Sequence, residues 1–243
     1  MKTLLATLTL AAGLLLAPSG AASAQSATAS NTQPAAQPTY AVGDVHRESS
    51  RVYAFVDKGS MMGHTHAVTG GLRSGRLLLG ASQNAGLIVI DMNSFEADTE
   101  QARRYVGLEG TTAEWMRKQV NEHMRGETGL DVAKYPTASF RVDSALPLSQ
   151  RSANGYEQYE LVGAFTLFGQ TRPLKVVVET RIENGWRNVR GAFAVKHTDF
   201  GRKPYSKAFG AIKIADEVKI WGDLWVAPGV ATASATQQQG ARR

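Results

Sequence analysis

Residues 161–195 read LVGAFTLFGQTRPLKVVVETRIENGWRNVRGAFAV and contain two long runs joined by a short turn. In the second run, charged side chains alternate with the apolar Leu174, Val176, Val178 and Ile182. A period of two is that of a strand with one buried face, whereas a helix would scatter these residues around its surface. The first run, residues 161–168, is apolar on both faces, which is typical of a strand that is covered on both sides or faces a cavity. The two runs predict a hairpin at the centre of a sheet.

Shorter strand patterns surround this hairpin. Residues 52–56, 61–68, 72–79 and 87–92 precede it, and Gly70-Gly71 predicts a hairpin turn between the second and third of them. Further patterns cover 138–142, 189–197 and 218–225. Around eight strands with short connections indicate a mainly β fold, an antiparallel sandwich or barrel.

Two helices are predicted between the strands. The first begins at Asp98, with Gln101 three residues later, and ends near Gly107. The second begins with a capping box formed by Thr111 and Glu114 and ends near Gly126. Its apolar residues form one stripe, which predicts a helix that lies on the sheet or over a cavity mouth: Ala113, Met116, Val120 and Met124.

Both ends of the chain differ from its middle. Residues 1–24 combine Lys2, an apolar stretch and Ala22-Ser23-Ala24, which is the pattern of a cleaved signal peptide; a membrane anchor is the alternative. Residues 25–39 lack charge and large apolar groups and are predicted to be a flexible leader, as residues 229–243 are predicted to be a disordered tail. Residues 40–228 are then predicted to form one domain of a protein that is exported to the periplasm or secreted.

Composition limits the classes of function. The chain has no cysteine, so it folds without disulfides and offers no thiolate to a metal or a substrate. Its formal net charge of +6 is modest, and the domain has no Lys/Arg run. We therefore predict no nucleic-acid partner, while weak attraction to anionic lipid head groups stays open.

Four blocks of residues, in this order and spacing, resemble the YceI family. They are Tyr135-Pro136 before a strand, GAFTLFGQTRPL at 163–174, Asp199-Phe200-Gly201, and ADEVKI at 215–220. The resemblance covers residues 40–226 and implies an extended, antiparallel, lipocalin-like β-barrel with the two short helices inserted between its strands. It also implies an apolar interior that holds a polyisoprenoid chain or a similar long amphiphile, bacterial export, and no established catalytic residue.

If the charged rows of the strands face water, the opposite rows line the barrel and are candidate ligand contacts. These are Leu161, Phe165, Leu167, Leu174, Val176, Val178, Phe193, Val195, Val218, Ile220 and Leu224. A barrel of this size either fills itself with side chains or holds one small ligand. Gly163, Gly191 and Gly222 either leave space inside the barrel or mark bulges and corners.

The histidines carry the strongest alternative. His64 and His66 share one face of a strand, and His197 lies on an inward row of a late strand. Together with His123 or Asp199 they would suit zinc, copper or iron, whereas the other interpretation makes them polar lining at the barrel mouth. Asp199 near His197 could also form a general-base dyad with it, but we find no nucleophile or catalytic motif.

The sequence therefore predicts an exported carrier, not an enzyme, that holds a polyisoprenoid, an isoprenoid quinone or a similar lipid without a cofactor. The alternative is a periplasmic metal-binding protein or metal-dependent enzyme. Trp221 and Trp225 lie on the outward row of the last strand. We expect a helix or the N-terminal strand to cover them; the alternatives are a homodimer interface and transient contact with a membrane surface.

Overall fold

The computed structural model describes residues 39–228. The predicted signal peptide, the predicted tail, and the predicted leader up to residue 38 lie outside the described residues. No helix in the described part of the chain is long and apolar enough to cross a membrane.

Residues 39–228 form eleven strands and two α-helices. In chain order they are β1 (Arg51–Lys58), β2 (His66–Gly70), β3 (Leu72–Leu77), β4 (Gly86–Asp91), β5 (Glu96–Ala97), α1 (Glu100–Val106), α2 (Glu114–Arg125), β6 (Thr137–Pro147), β7 (Glu157–Leu167), β8 (Gln170–Glu183), β9 (Trp186–Lys196), β10 (Ser206–Lys207) and β11 (Ile212–Val226).

The strands form one curled antiparallel sheet, a half-barrel. Its order is β3-β4-β6-β7-β8-β9-β11-β1-β2-β5, and the two-residue β10 pairs with β11. The predicted mainly β, lipocalin-like barrel class is confirmed, with three more strands than the eight expected. Asp44 and Val45 add isolated bridges to Arg76 in β3 and Val226 in β11, so the N-terminal segment spans two distant strands of the sheet.

The predicted central hairpin is present as β7 and β8. Its pairs run from Leu167 with Gln170 to Glu157 with Thr180, and Phe168 and Gly169 turn the chain with φ of 51° and 71°. Val176 and Val178 face inward and are buried, as the period of two predicts, but Ile182 is 58 % exposed. Ile182 lies near the tip of the next hairpin, beyond the part of the sheet that covers a core.

The hairpin predicted at Gly70-Gly71 is wrong. The strand before it, β2, pairs with β1 and β5, and the strand after it, β3, pairs with β4. Gly70 instead allows close packing, since a Cβ there would lie 2.4 Å from the Phe95 ring. The chain therefore passes from near one end of the sheet order to the other, and this covalent link helps to curl the sheet.

Both helices exist, but their predicted first residues are wrong. The N-cap of α1 is Thr99, whose hydroxyl accepts from the Ala102 amide at 3.1 Å. The N-cap of α2 is Ala113, so the Thr111 capping box does not form. The C-terminal signals are correct, because Gly107 and Gly126 end the two helices. A capping-box pattern often occurs by chance. A glycine at a left-handed position, such as Gly107 with φ 80°, is required by the backbone and is therefore a more reliable signal.

Helix α1 lies on the outer face of the sheet. Its Ala102 is fully buried against Tyr53 and Ala67, while Tyr105 stacks on Tyr53 with ring centroids 3.7 Å apart. Trp221 packs against the same cluster, so a helix covers it as expected. The backbone of Trp225 bonds the segment before β1, its N–H donating to Ser50 Oγ at 2.9 Å and its carbonyl accepting from His46 N–H at 2.7 Å.

Candidate functional site

An apolar cavity of about 360 Å³ lies inside the curled sheet. The inward faces of β1, β2, β4, β6, β7, β9 and β11 form its walls, and α2 covers one side. Its apolar wall consists mainly of Val52, Ala54, Val56, Val68, Ile90, Met92, Phe95, Ala138, Phe165, Leu167, Phe168, Val195, Ile214, Val218 and Ile220. A pocket of this size and character is typical of a site for an apolar ligand.

The structure places five of the eleven predicted lining residues on this wall. They are Phe165, Leu167, Val195, Val218 and Ile220. The other six do not line the cavity but belong to the packed core of the sheet: Leu161, Leu174, Val176, Val178, Phe193 and Leu224. The alternation of side chains along a strand predicts which face of the sheet a residue lies on. It does not predict whether the interior next to that residue is packed or hollow.

The three glycines do not create the cavity. Gly163, Gly191 and Gly222 are absent from its wall. A Cβ on Gly163 would lie 1.9 Å from the carbonyl oxygen of Arg141, next to the register shift between Val142 and Ser144. Gly163 therefore permits a close backbone approach at a bulge, which is the second of the two interpretations given to these glycines.

Helix α2 supplies the part of the wall that strand patterns could not reveal. No residue of α2 is fully buried, yet Trp115, Met116, Val120 and Met124 face the cavity. Three residues of the stripe predicted from the sequence, Met116, Val120 and Met124, therefore line the cavity, whereas Ala113 is the N-cap and does not. Val120 and Met124 also pack against the hydrophobic core. Two contacts hold the helix to the sheet: Asn121 Oδ1 accepts from Ala97 N–H at 2.8 Å, and the Arg125 guanidinium donates to the Phe95 carbonyl.

Four of the five histidines line the cavity: His64, His66, His123 and His197. The His64 and His66 rings lie 6.5 Å apart, and His197 Nδ1 contacts the Asp216 carbonyl oxygen at 2.9 Å. Within residues 39–228, no three His, Asp or Glu side chains come close enough to form a metal site. The contact of His197 is with Asp216, not with Asp199, so the structure does not form the dyad considered from the sequence.

His66 joins the cavity to the buried carboxylate of Asp98. Its Nδ1 lies 2.8 Å from Asp98 Oδ2, and Arg103 Nη1 donates to Asp98 Oδ1 at 3.3 Å. The Ala67 N–H donates to the same carboxylate at 3.0 Å. Burial by itself raises the pKa of Asp98, but the hydrogen bonds from His66 and Ala67 and the charges of His66 and Arg103 outweigh it and hold this pKa below its usual value. Asp98 was expected to begin α1, and it instead fixes the start of the helix to the cavity wall.

The charged residues of the cavity wall are all basic. Arg202, Lys203, Lys207 and Lys213 belong to it, whereas no Asp or Glu does. Arg202 is held in place because it donates to the Gly129 carbonyl at 2.9 Å and lies 3.8 Å from Asp131 Oδ2. The three lysines are exposed, so this side of the cavity is the one that meets solvent.

Comparisons with known proteins agree with the four sequence blocks. A family model described as YceI-like domain matches residues 44–224. No curated protein matches the chain. Solved structures that are similar to it include the following three. BcnA of Burkholderia cenocepacia is 19 % identical, with coverage of 75 % of this chain and 99 % of that one and a TM-score of 0.47. A polyisoprenoid binding domain from Saccharophagus degradans is 13 % identical, with coverage of 77 % of this chain and 100 % of that one and a TM-score of 0.46. The Campylobacter jejuni YCEI protein is 10 % identical, with coverage of 79 % of this chain and 89 % of that one and a TM-score of 0.39.

Proposed function

The chain belongs to the YceI family, and from this we propose that it holds one long apolar molecule, a polyisoprenoid, an isoprenoid quinone or a similar amphiphile, inside the curled sheet. The observation that carries this proposal is the apolar cavity roofed by α2, with histidines and basic residues where it meets solvent. An apolar chain fits the walls, and a polar head group fits the mouth.

The energy of binding would come from burial of the chain. Each methylene removed from water contributes about 0.8 kcal/mol before the costs of association are subtracted. The side chains of α2 complete the enclosure, because Met116 and Met124 can adjust their rotamers to ligands of different shape. We propose a binding role and assign no catalytic residue.

The proposed place of action is outside the cytoplasm. The support is the pattern of residues 1–24, with its basic start, apolar stretch and small-residue cleavage motif. There the protein would carry or sequester its lipid. A homodimer stays a prediction. Trp221 gives it no support, because α1 of the same chain already packs against this side chain.

The test is native mass spectrometry of the protein purified from its own cells, followed by organic extraction and metal analysis of the same sample. We expect about one long-chain lipid per protein and no stoichiometric metal. Stoichiometric metal without lipid, lost when His64 or His66 is replaced by alanine, would overturn the proposal in favour of a metal-binding scaffold.

A further inference from the structure

The solvent side of the cavity is surrounded by unusually exposed apolar side chains. Among the described residues, the four most exposed large apolar side chains are Phe209 (113 %), Met61 (95 %), Trp115 (68 %) and Met62 (66 %). Trp115 lines the cavity, and Met62 directly precedes the lining residues Gly63 and His64. Single exposed apolar residues are common on protein surfaces, but four around one opening indicate a contact surface.

Hydrogen bonds join two of the segments that carry these exposed side chains, here called the apolar tips. Met61 and Met62 lie in the β1–β2 loop, and Phe209 lies in the turn between β10 and β11. Ser60 Oγ donates to the Ala211 carbonyl at 2.8 Å, and the Lys213 N–H donates to Ser60 Oγ at 3.1 Å. The Gly59 N–H donates to the Lys213 carbonyl at 2.7 Å. The loop and the turn therefore form one continuous edge of the opening.

The backbone of the turn is strained where it presents Phe209. Ala208 and Phe209 have φ of 51° and 53°, in the left-handed region that favours glycine and asparagine. Such a conformation costs about 1 kcal/mol or more for each non-glycine residue. The strain is accompanied by full exposure of a phenylalanine ring, so no packing contact of this ring within residues 39–228 offsets it.

The charged side chains that line the cavity at this opening have one sign. Lys203, Lys207 and Lys213 are exposed on the cavity wall, which has no acidic residue. Asp57, near the end of β1, is the acid that precedes the β1–β2 loop; its carboxylate accepts from Thr65 Oγ1 at 2.9 Å, and the neighbouring Lys58 balances its charge. Lysines around exposed apolar side chains are complementary to a bilayer whose surface is anionic and whose interior is apolar.

We propose that this rim, defined as Met61, Met62, Trp115 and Phe209 with Lys203, Lys207 and Lys213, docks the protein on an anionic phospholipid bilayer. The lysines meet the head groups, and the apolar tips enter the boundary between head groups and acyl chains. The cavity then opens toward the bilayer, so an apolar ligand passes between the two without crossing water. This inference goes beyond retention of a ligand, because a carrier could also load from another protein.

The test uses the full mature chain and vesicles of phosphatidylcholine, with or without phosphatidylglycerol, in a flotation assay. We expect the protein to float with the anionic vesicles and much less with the neutral ones. Added salt should weaken the binding, since the attraction between exposed charges is screened. Equal flotation with both vesicle types, or flotation with neither, would overturn the proposal.

A variant that alters only the apolar tips makes the test specific. Met61→Ser, Met62→Ser and Phe209→Asn are combined, because none of these three residues lines the cavity and asparagine tolerates the left-handed backbone. We expect binding to anionic vesicles to fall at least roughly tenfold from the loss of inserted apolar surface. The matched control combines Leu87→Ser, Val177→Ser and Ile182→Asn, three exposed apolar residues of β4 and β8, and should bind as the original protein does.

Organic extraction of the same preparations separates this inference from the proposed function. The tip variant should retain its lipid, as the cavity wall is unchanged. A tip variant that binds vesicles as well as the control does would overturn the docking inference, whatever the lipid content. Absence of lipid from all preparations, with vesicle binding that depends on the tips, would overturn the proposed function and leave the docking inference standing.

Discussion

The helices α1 and α2 follow one another in the chain but pack differently in the structure. In α1, Ala102 is fully buried, Tyr105 stacks on Tyr53, and Arg103 joins the buried ion cluster of Asp98. In α2 no residue is fully buried, and its apolar stripe faces the cavity. The difference shows that α1 packs on the outer face of the sheet, while α2 lines the cavity with side chains that are only partly buried.

The largest expected effect comes from charging the inner face of α2. Met116→Asp combined with Met124→Asp places two carboxylates against an apolar ligand, which costs several kcal/mol unless the ligand leaves. We expect lipid to be lost from the purified protein, while the melting temperature of lipid-free protein shifts by a few degrees at most. Mass spectrometry after extraction and thermal unfolding measure the two quantities.

The control for this variant is Lys118→Asp, which changes the charge equally on the exposed face of the same helix. It should retain its lipid. If the double variant keeps a full complement of lipid while folded, α2 does not enclose the ligand, and the contrast between the helices fails.

Overpacking α1 should affect stability and leave the ligand in place. Ala102→Leu adds three carbon atoms to a fully buried position between the helix and the sheet, and the expected loss is about 3 kcal/mol in the free energy of unfolding. Chemical denaturation measures it. Arg104→Leu, on the exposed side of α1, is the control and should change stability by less than about 0.5 kcal/mol. Loss of lipid from folded Ala102→Leu protein would show that α1 also shapes the cavity.

The ion cluster at the start of α1 should make stability depend on acid. Asp98→Asn removes the charge that His66 and Arg103 face, with an expected loss of about 2 kcal/mol at neutral pH. Because the pKa of Asp98 is lowered in the folded protein, its contribution is present above the unfolded pKa, near 4, and is lost as the pH falls through the lower folded pKa. Urea unfolding at several pH values should show the two proteins converging below about pH 4. A difference that stays constant down to strong acid would contradict the charge argument.

The smallest effect is expected at Tyr105. Burial, reinforced by the negative charge of Asp223, raises the pKa of Tyr105 to about 12. The unfolded chain loses this proton near pH 10, so the free energy of unfolding should fall between about pH 10 and pH 12. Tyr105→Phe should match the original protein within about 0.5 kcal/mol at pH 7 and be more stable by about 1 kcal/mol at pH 11. Identical pH profiles for the two proteins would contradict the raised pKa.

Several features of the fold follow from local patterns. The central hairpin, the helix ends at Gly107 and Gly126, and the apolar stripe of α2 are each encoded within about a dozen neighbouring residues. The Gly70-Gly71 turn failed because strand pairing depends on residues far away in the chain. The predicted first residue of α1 was wrong because the Asp98 carboxylate pairs with His66 and Arg103 and does not cap the helix.

The candidate site was predicted only in part, for a related reason. Alternation separates inward from outward side chains, and it selected Phe165, Val195 and Val218, which lie on the cavity wall. It could not separate them from Val176 and Val178, which face the same way but lie where the interior is filled. No sequence pattern indicated that β1 and β4 line the cavity. No pattern indicated the exposed apolar tips either, because exposure is a property of the assembled surface.

The sequence by itself determined that residues 40–228 form a mainly β protein with an apolar interior and two helices, because strand and helix periods and turn residues act over short distances. The tertiary structure decided which part of the interior stays hollow, which helix packs and which one roofs the cavity. It also brought four histidines and four basic residues, separated by up to about 150 positions in the chain, to one opening. Those outcomes depend on how eleven strands pair and curl, and no short segment contains the information for its distant partners.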